Sequence, residues 1–216
     1  VLPLLRHQAL GDPVGFLEAG ELAIVTREGV DYRTLAGNHI DKQLRVVAPE
    51  DVLIDKGGYR HFMLKEISEQ PEATISTMRD RVSFDPWGIY LENVHFTESD
   101  IRSINRVIFT AMGTSLHAAL VARHMMEQLS GLPSEAENAS EFRYRDPVLD
   151  SRTLVVAIAQ SGETADTLSA MEEAARKGAR LIAVCNAKGS QATRLAEGCI
   201  YLSAGPEIGV ASTKTF

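Results

Sequence analysis

The residues with most to offer chemically sit in one run, "IAQSGETADTL" (158–168), where an apolar stretch empties into Gln160, Ser161, Gly162 and Thr164. Hydroxyls donate and accept hydrogen bonds, and glycine lets backbone N–H groups approach a ligand. The same build recurs at "MGTS" (112–115), and a third loop, "CNAKGS" (185–190), follows another apolar run. In the first two, glycine and hydroxyls precede a helical pattern, whose free N–H groups and dipole favour an anion. Charge-assisted hydrogen bonds are worth about 1.5–3 kcal/mol each, so several converging on one phosphate would hold it without a lysine. The loop is neither a Walker loop, which needs Gly-Lys-Ser/Thr, nor a GxGxxG dinucleotide turn. It reads as a cradle for a phosphate monoester. The bland alternative is N-capping with no ligand at all. Two hydroxyl-rich loops at one sheet edge favour the cradle.

The elements that must position these loops follow from periodicity. "RVIFTAM" (106–112), "TLVVAIA" (153–159), "RLIAVC" (180–185) and "GCIYLS" (198–203) read as buried strands. Between them run helical patterns at 116–130, 165–178, with Gly178 at its C-cap, and 190–197; 134–150 is expected to hold a short strand and a short helix. Near-continuous apolar strands alternating with helices predict an α/β fold, a doubly wound parallel sheet covered on both faces, with ligands outside the carboxyl ends of its strands. The front differs. Residues 16–35 alternate apolar and polar around "REG", a hairpin signal, and 44–55 continue in a β-like manner. In 56–82, Phe62, Met63, Leu64 and Ile67 suggest a helix and Pro71 starts or kinks a second, the whole reading as a connector.

Composition narrows the classes. A net charge of -7 and a pI near 5.4 argue against a nucleic-acid partner. No apolar run approaches the roughly 20 residues of a membrane span, and no charged-then-apolar leader opens the chain. Cys185 and Cys199 fit a reducing compartment, the cytoplasm, as two buried thiols in preference to a disulfide. His7, His39, His61, His95, His117 and His124 lack metal-ligand spacing, so no metal is expected. The chain begins at Val1 and stops at "ASTKTF", and it reads as a piece of something longer.

Four stretches then carry a resemblance. "AQSGETADTL" (159–168), "EFRYRDPVL" (141–149), "GPEIGVASTKTF" (205–216) and "GGYRHFMLKEISEQP" (57–71) together resemble the glutamine:fructose-6-phosphate aminotransferases, also called glucosamine-6-phosphate synthases. The resemblance runs along nearly the whole chain. It implies that 1–56 form the end of a glutaminase domain of the N-terminal-nucleophile type, 57–97 a helical interdomain linker, and 98–216 the first SIS (sugar isomerase) domain, a flavodoxin-like αβα sandwich. It implies synthesis of glucosamine 6-phosphate from fructose 6-phosphate and glutamine, without a cofactor, by a homodimer whose glutamine site lies outside this chain. By similarity, Ser115, Gln160, Ser161 and Thr164, with Gly162 in the same loop, would hold the sugar phosphate. The backbone around Gly113 and Thr114, with Val210 and Ser212, would line the sugar.

Two positions depart from the family pattern: Ala159 stands where serine is usual and Met112 where cysteine is frequent, which puts the sugar preference in question. The resemblance places no catalytic residue here: Val1 has no thiol, and the glutamate, lysine and histidine of the isomerase fall beyond the equivalent of Phe216. Lys214 reads as structural in preference to an imine former, and Glu163 as a charge satisfying a helix start in preference to a base. His61, in "YRHF", lies where the family linker meets a domain interface. The rival to the aminotransferase is a non-catalytic SIS module that binds a phosphosugar.

Overall fold

Strands apolar on both faces need helices on both sides, and the order of the chain decides which helix covers which face. The computed structural model describes residues 13–15, 17–46 and 55–216. The chain divides into two units, Val1–Leu53 and Ile54–Phe216.

In the first unit, β1 (Pro13–Val14) pairs antiparallel with β4 (Arg45–Val46), and β2 (Glu21–Val25) with β3 (Val30–Thr34). The β2–β3 turn falls at "REG", closed by the Thr26 N–H donating to the Gly29 carbonyl at 2.9 Å. The β-like pattern expected over 44–55 is met only at β4, since 47–54 lie outside the described residues.

The second unit opens with α1 (Phe62–Ser68) and α2 (Gln70–Met78). Pro71 sits in the first turn of α2, where a missing N–H costs nothing. A hairpin follows, β5 (Val82–Phe84) with β6 (Trp87–Ile89), then α3 (Glu98–Ser103). The connector reading of this stretch had no strand in it; a pair three residues long is too short for alternation to register.

Five strands then form one parallel sheet: β7 (Arg106–Ala111), β8 (Ser134–Asn138), β9 (Thr153–Ala159), β10 (Arg180–Cys185) and β11 (Gly198–Tyr201). Their spatial order is β11-β10-β9-β7-β8. Helices α4 (Thr114–Ser130), α5 (Ala139–Phe142), α6 (Ala165–Arg176) and α7 (Gln191–Leu195) connect them. Alternate residues of each strand feed opposite cores. Ile108, Val155 and Ala157 join Phe142, Leu168 and Met171 beneath α5 and α6. Val107, Phe109, Val156 and Ile158 pack instead with Ala119 of α4. Burying a leucine- or phenylalanine-sized side chain contributes about 1.5–3 kcal/mol, and the largest fully buried ones, Phe142, Ile108, Met171 and Leu181, anchor this double layer.

Cys185 and Cys199 are both free and buried. Burial pushes the Cys199 thiol up to about 11 and raises that of Cys185, so both are inert packing groups. Among the described residues, no helix is long and apolar enough to cross a membrane.

Candidate functional site

The strand order reverses between β7 and β9. The chain leaves β7 through α4 to β8 on one side, and resumes through α5 at β9 on the other. At such a switch point the two following loops splay apart and open a crevice. A cavity of about 730 Å³ lies there. Gly113, Thr114 and Ser115 line it from the β7–α4 loop, and Gln160, Ser161 and Thr164 from the β9–α6 loop. Val210 and Ser212 line it from the segment that follows β11. Eight of the nine residues expected at the site therefore share one cavity.

Gly162 is the exception, and it does not line the cavity. Its φ is +67°, and a Cβ there would stand 2.1 Å from Ser190 Oγ and 2.9 Å from Cys185 Sγ. It lets the β9–α6 loop lie directly on the third hydroxyl loop. The Ala192 N–H donates to the Gly162 carbonyl at 3.0 Å, and the Asn186 N–H to the Gln160 carbonyl at 3.2 Å. The "CNAKGS" loop thus supports the second loop from beneath and does not reach the cavity. Glu163 accepts from the Gln191 N–H at 2.8 Å, closing the start of α7. That is the helix-satisfying role expected of it, served to the neighbouring helix.

The helix starts at the cavity are open. The N-cap of α4 is Gly113 (φ +59°), which has no side chain to offer. The N-cap of α6 is Thr164, whose hydroxyl makes no capping bond to its own helix. The Leu116 N–H donates to the Gly113 carbonyl at 3.1 Å; first-turn N–H groups otherwise lack an intrahelical partner, so both ends present donors and positive dipole charge. Ser115 is buried to 7% exposure in the first turn of α4. Ser161 Oγ accepts from the Glu163 N–H at 3.2 Å, which leaves its own hydrogen to donate to a ligand. Among the lining residues His117 carries the only ionisable side chain, and no carboxylate faces the cavity. The arrangement can bind an anion. No carboxylate, lysine or cysteine lines it.

The wall opposite is a loop held by carboxylates. Glu207 accepts from Ser212 Oγ at 2.5 Å, from the N–H of Thr213 at 2.7 Å and of Lys214 at 3.0 Å, and from Thr215 Oγ1 at 2.7 Å. Burial raises its pKa, but these donors outweigh burial and hold it below the usual range. Lys214 lies inside, 6% exposed, its Nζ 2.8 Å from Glu69 Oε2. This ion pair makes it structural, as expected. The pairing lowers the Glu69 pKa against the desolvation that raises it. Glu66 of α1 takes the N–H groups of Ile208 and Gly209. Neither Glu207 nor Glu66 was singled out from sequence, because a carboxylate serving backbone N–H groups leaves no periodic trace.

Other residues missed at the cavity are Asn138 and Thr167. Asn138 closes α5 by accepting from the Ser140 N–H at 3.3 Å, which an Asn before a helical run could have signalled. Ala159 and Met112, the two departures, both line the cavity, so the missing hydroxyl and the added thioether bear on the same space.

The SIS domain family matches residues 100–216. The glutamine–fructose-6-phosphate aminotransferase (isomerizing) of Caldanaerobacter subterraneus subsp. tengcongensis is 44% identical over 203 residues, 94% of this chain and 33% of that protein. Its namesake in Symbiobacterium thermophilum is 46% identical over 200 residues, 93% of this chain and 33% of that protein. The chain thus spans about a third of the length of these curated relatives. Among solved structures, the C-terminal domain of glucosamine-fructose-6-phosphate aminotransferase from Francisella tularensis superposes with a TM-score of 0.69 at 37% identity, covering 75% of this chain and 45% of that one.

Proposed function

The chain belongs to the SIS domain family, and on that premise we propose that it supplies the phosphate cradle and part of the sugar wall of an isomerizing glutamine–fructose-6-phosphate aminotransferase. Such an enzyme makes glucosamine 6-phosphate from fructose 6-phosphate and glutamine. The observation that carries the reading is the pair of helix starts, α4 and α6, left without side-chain caps around one cavity rich in hydroxyls.

The phosphate sits against the first turns of α4 and α6, taking hydrogen bonds from Ser115, Gln160, Ser161 and Thr164 and from first-turn N–H groups. The sugar extends along Gly113, Thr114, Val210 and Ser212. Gly162 acts behind this surface, by letting Ser161 and Thr164 reach their places. Ring opening and proton transfer then fall to residues outside this chain, which fits a cavity without a carboxylate or lysine. In this reading, 1–56 are the end of the glutaminase domain, 57–97 the linker and 98–216 the first SIS domain of a cytoplasmic homodimer. No observation favours the non-catalytic module.

Calorimetric titration of fructose 6-phosphate into the full-length protein and into a Ser161→Ala, Thr164→Ala double variant tests the assignment. Two charge-assisted bonds at about 1.5–3 kcal/mol each predict affinity weaker by roughly 100-fold or more. Unchanged affinity would sink it.

A further inference from the structure

The stretch 57–97 reads as a connector, yet one of its side chains is among the most deeply buried carboxylates of the described residues. Glu66 is 2% exposed. A carboxylate taken out of water needs full hydrogen-bond satisfaction, or the cost runs to several kcal/mol. Its donors come from a backbone 142 residues further along: the Ile208 N–H at 2.6 Å and the Gly209 N–H at 3.1 Å to Oε1, with the same Gly209 N–H at 3.2 Å from Oε2. Position 209 has room for this only as glycine, since a Cβ would stand 2.5 Å from Glu66 Oε2. Two further ties leave the same α1–α2 elbow: Glu69 to Lys214 Nζ at 2.8 Å, and Gln70 Nε2 to the Thr213 carbonyl at 3.1 Å. The segment so held supplies Gly209, Val210, Ala211 and Ser212 to the cavity wall.

We propose that Glu66 is a positioning residue for the cavity: its carboxylate fixes the backbone at Ile208 and Gly209 and thereby sets where the wall Gly209–Ser212 stands against the two open helix starts. Glu66 touches no ligand. It acts through the loop, and Glu69 and Gln70 hold the loop's far end. The effect on substrate rests on the reading of the cavity as a fructose 6-phosphate site; the anchoring of the loop does not.

The test uses the full-length protein and three variants: Glu66→Ala, Glu66→Gln and, as a control, Glu197→Ala. Glu197 accepts from the Leu181 N–H at 2.9 Å at the opposite end of β10, so its loss weakens the fold without touching the wall. Two quantities are read: amide hydrogen exchange across 205–215, and KM for fructose 6-phosphate against KM for glutamine. Glu66→Ala is expected to speed exchange at Ile208 and Gly209 and to raise the fructose 6-phosphate KM by roughly tenfold, glutamine KM unchanged, tenfold being about 1.4 kcal/mol of the charge-assisted bonds removed. Glu66→Gln keeps one acceptor oxygen and is expected to recover part of both. Glu197→Ala should lower Tm and leave both KM values and the local exchange alone. Exchange at 208 and 209 unaltered in Glu66→Ala, or a shift of both KM values together as in a merely weakened fold, would overturn the proposal. If Glu66→Ala does not fold, Glu66→Met, which fills the space without an oxygen acceptor, takes its place, and wild-type exchange at those two amides overturns the proposal equally. If fructose 6-phosphate fails to bind the wild type, the functional reading falls, and the exchange data alone decide whether Glu66 holds the wall.

Discussion

Two threonines occupy the same position in two helices of this chain and behave oppositely. Thr97 is the N-cap of α3: its Oγ1 accepts from the Asp100 N–H at 3.1 Å, while Asp100 Oδ2 accepts from the Thr97 N–H at 2.8 Å. Thr164 is the N-cap of α6 and makes no such bond. The first end is closed on itself and serves the fold. The second is left open, and so is the start of α4 behind Gly113, although a cap is worth about 1 kcal/mol. Both open ends face the cavity and the closed one does not. Side-chain caps are also absent from α1, α2 and α7, and α5 at the cavity rim has one, so what sets α4 and α6 apart is that two uncapped starts meet at one cavity.

Closing an open end breaks the contrast most directly. Thr164→Asp puts a good capping carboxylate at the start of α6, where the helix dipole welcomes it. The same charge stands where the ligand phosphate should lie, and like charges brought together cost several kcal/mol. The expectation is an affinity for fructose 6-phosphate lower by at least about 100-fold with Tm unchanged or raised. Calorimetry and a thermal melt on one preparation decide it. A variant that binds normally would mean the open end is not where the anion sits.

Gly162→Ala tests what holds the open end in place. The residue has φ +67° and its Cβ would collide with Ser190 and Cys185, so the loop must lift. Strain of this kind costs about 1–3 kcal/mol, read as a lower Tm with weaker binding. Gly113→Ala keeps the unfavourable φ of +59° but meets nothing within 4 Å, and should cost less.

The mirror experiment is Thr97→Ala. It removes the closed cap and is expected to cost about 1 kcal/mol of stability by chemical denaturation, with fructose 6-phosphate affinity unchanged.

The same contrast explains what could be read from sequence. The parallel sheet was legible because Val, Ile and Ala fill both faces of β7, β9 and β10, and the two cavity loops because Gly, Ser and Thr cluster at their carboxyl ends. Strand limits came within two residues, β11 ending at Tyr201 where the pattern ran to 203. The β5–β6 hairpin and α3 were not legible, being three and six residues long. Nor was the distinction between Gly113, which lines the cavity, and Gly162, which supports it. Both are glycines in hydroxyl-rich loops, and only the neighbour across the sheet, Ser190, tells them apart. Glu66 escaped for the same reason: its partners are backbone groups 142 and 143 residues away.

The smallest expected effect separates the two kinds of helix end by pH. Asp100 is held down to about 2 from its ordinary 3.8, first by the Thr97 hydroxyl, then by Arg180 and the Thr97 N–H. A folded value below the unfolded one means that its stabilisation is fully present above about 3.8 and fades as pH falls from there toward 2. The Tm difference between wild type and Asp100→Asn should therefore be constant from neutral pH down to about 5 and shrink by pH 3. A gap as wide at pH 3 as at pH 7 would show that the carboxylate charge contributes nothing to the closed end. No carboxylate lines the cavity that the open ends face. If the proposed sugar phosphate binds there, its phosphate loses its second charge near pH 6, so affinity should begin to fall about two pH units before Asp100 begins to matter. On the proposed reading, acid thus reaches the site through the sugar phosphate first, and the fold through its closed cap only afterwards.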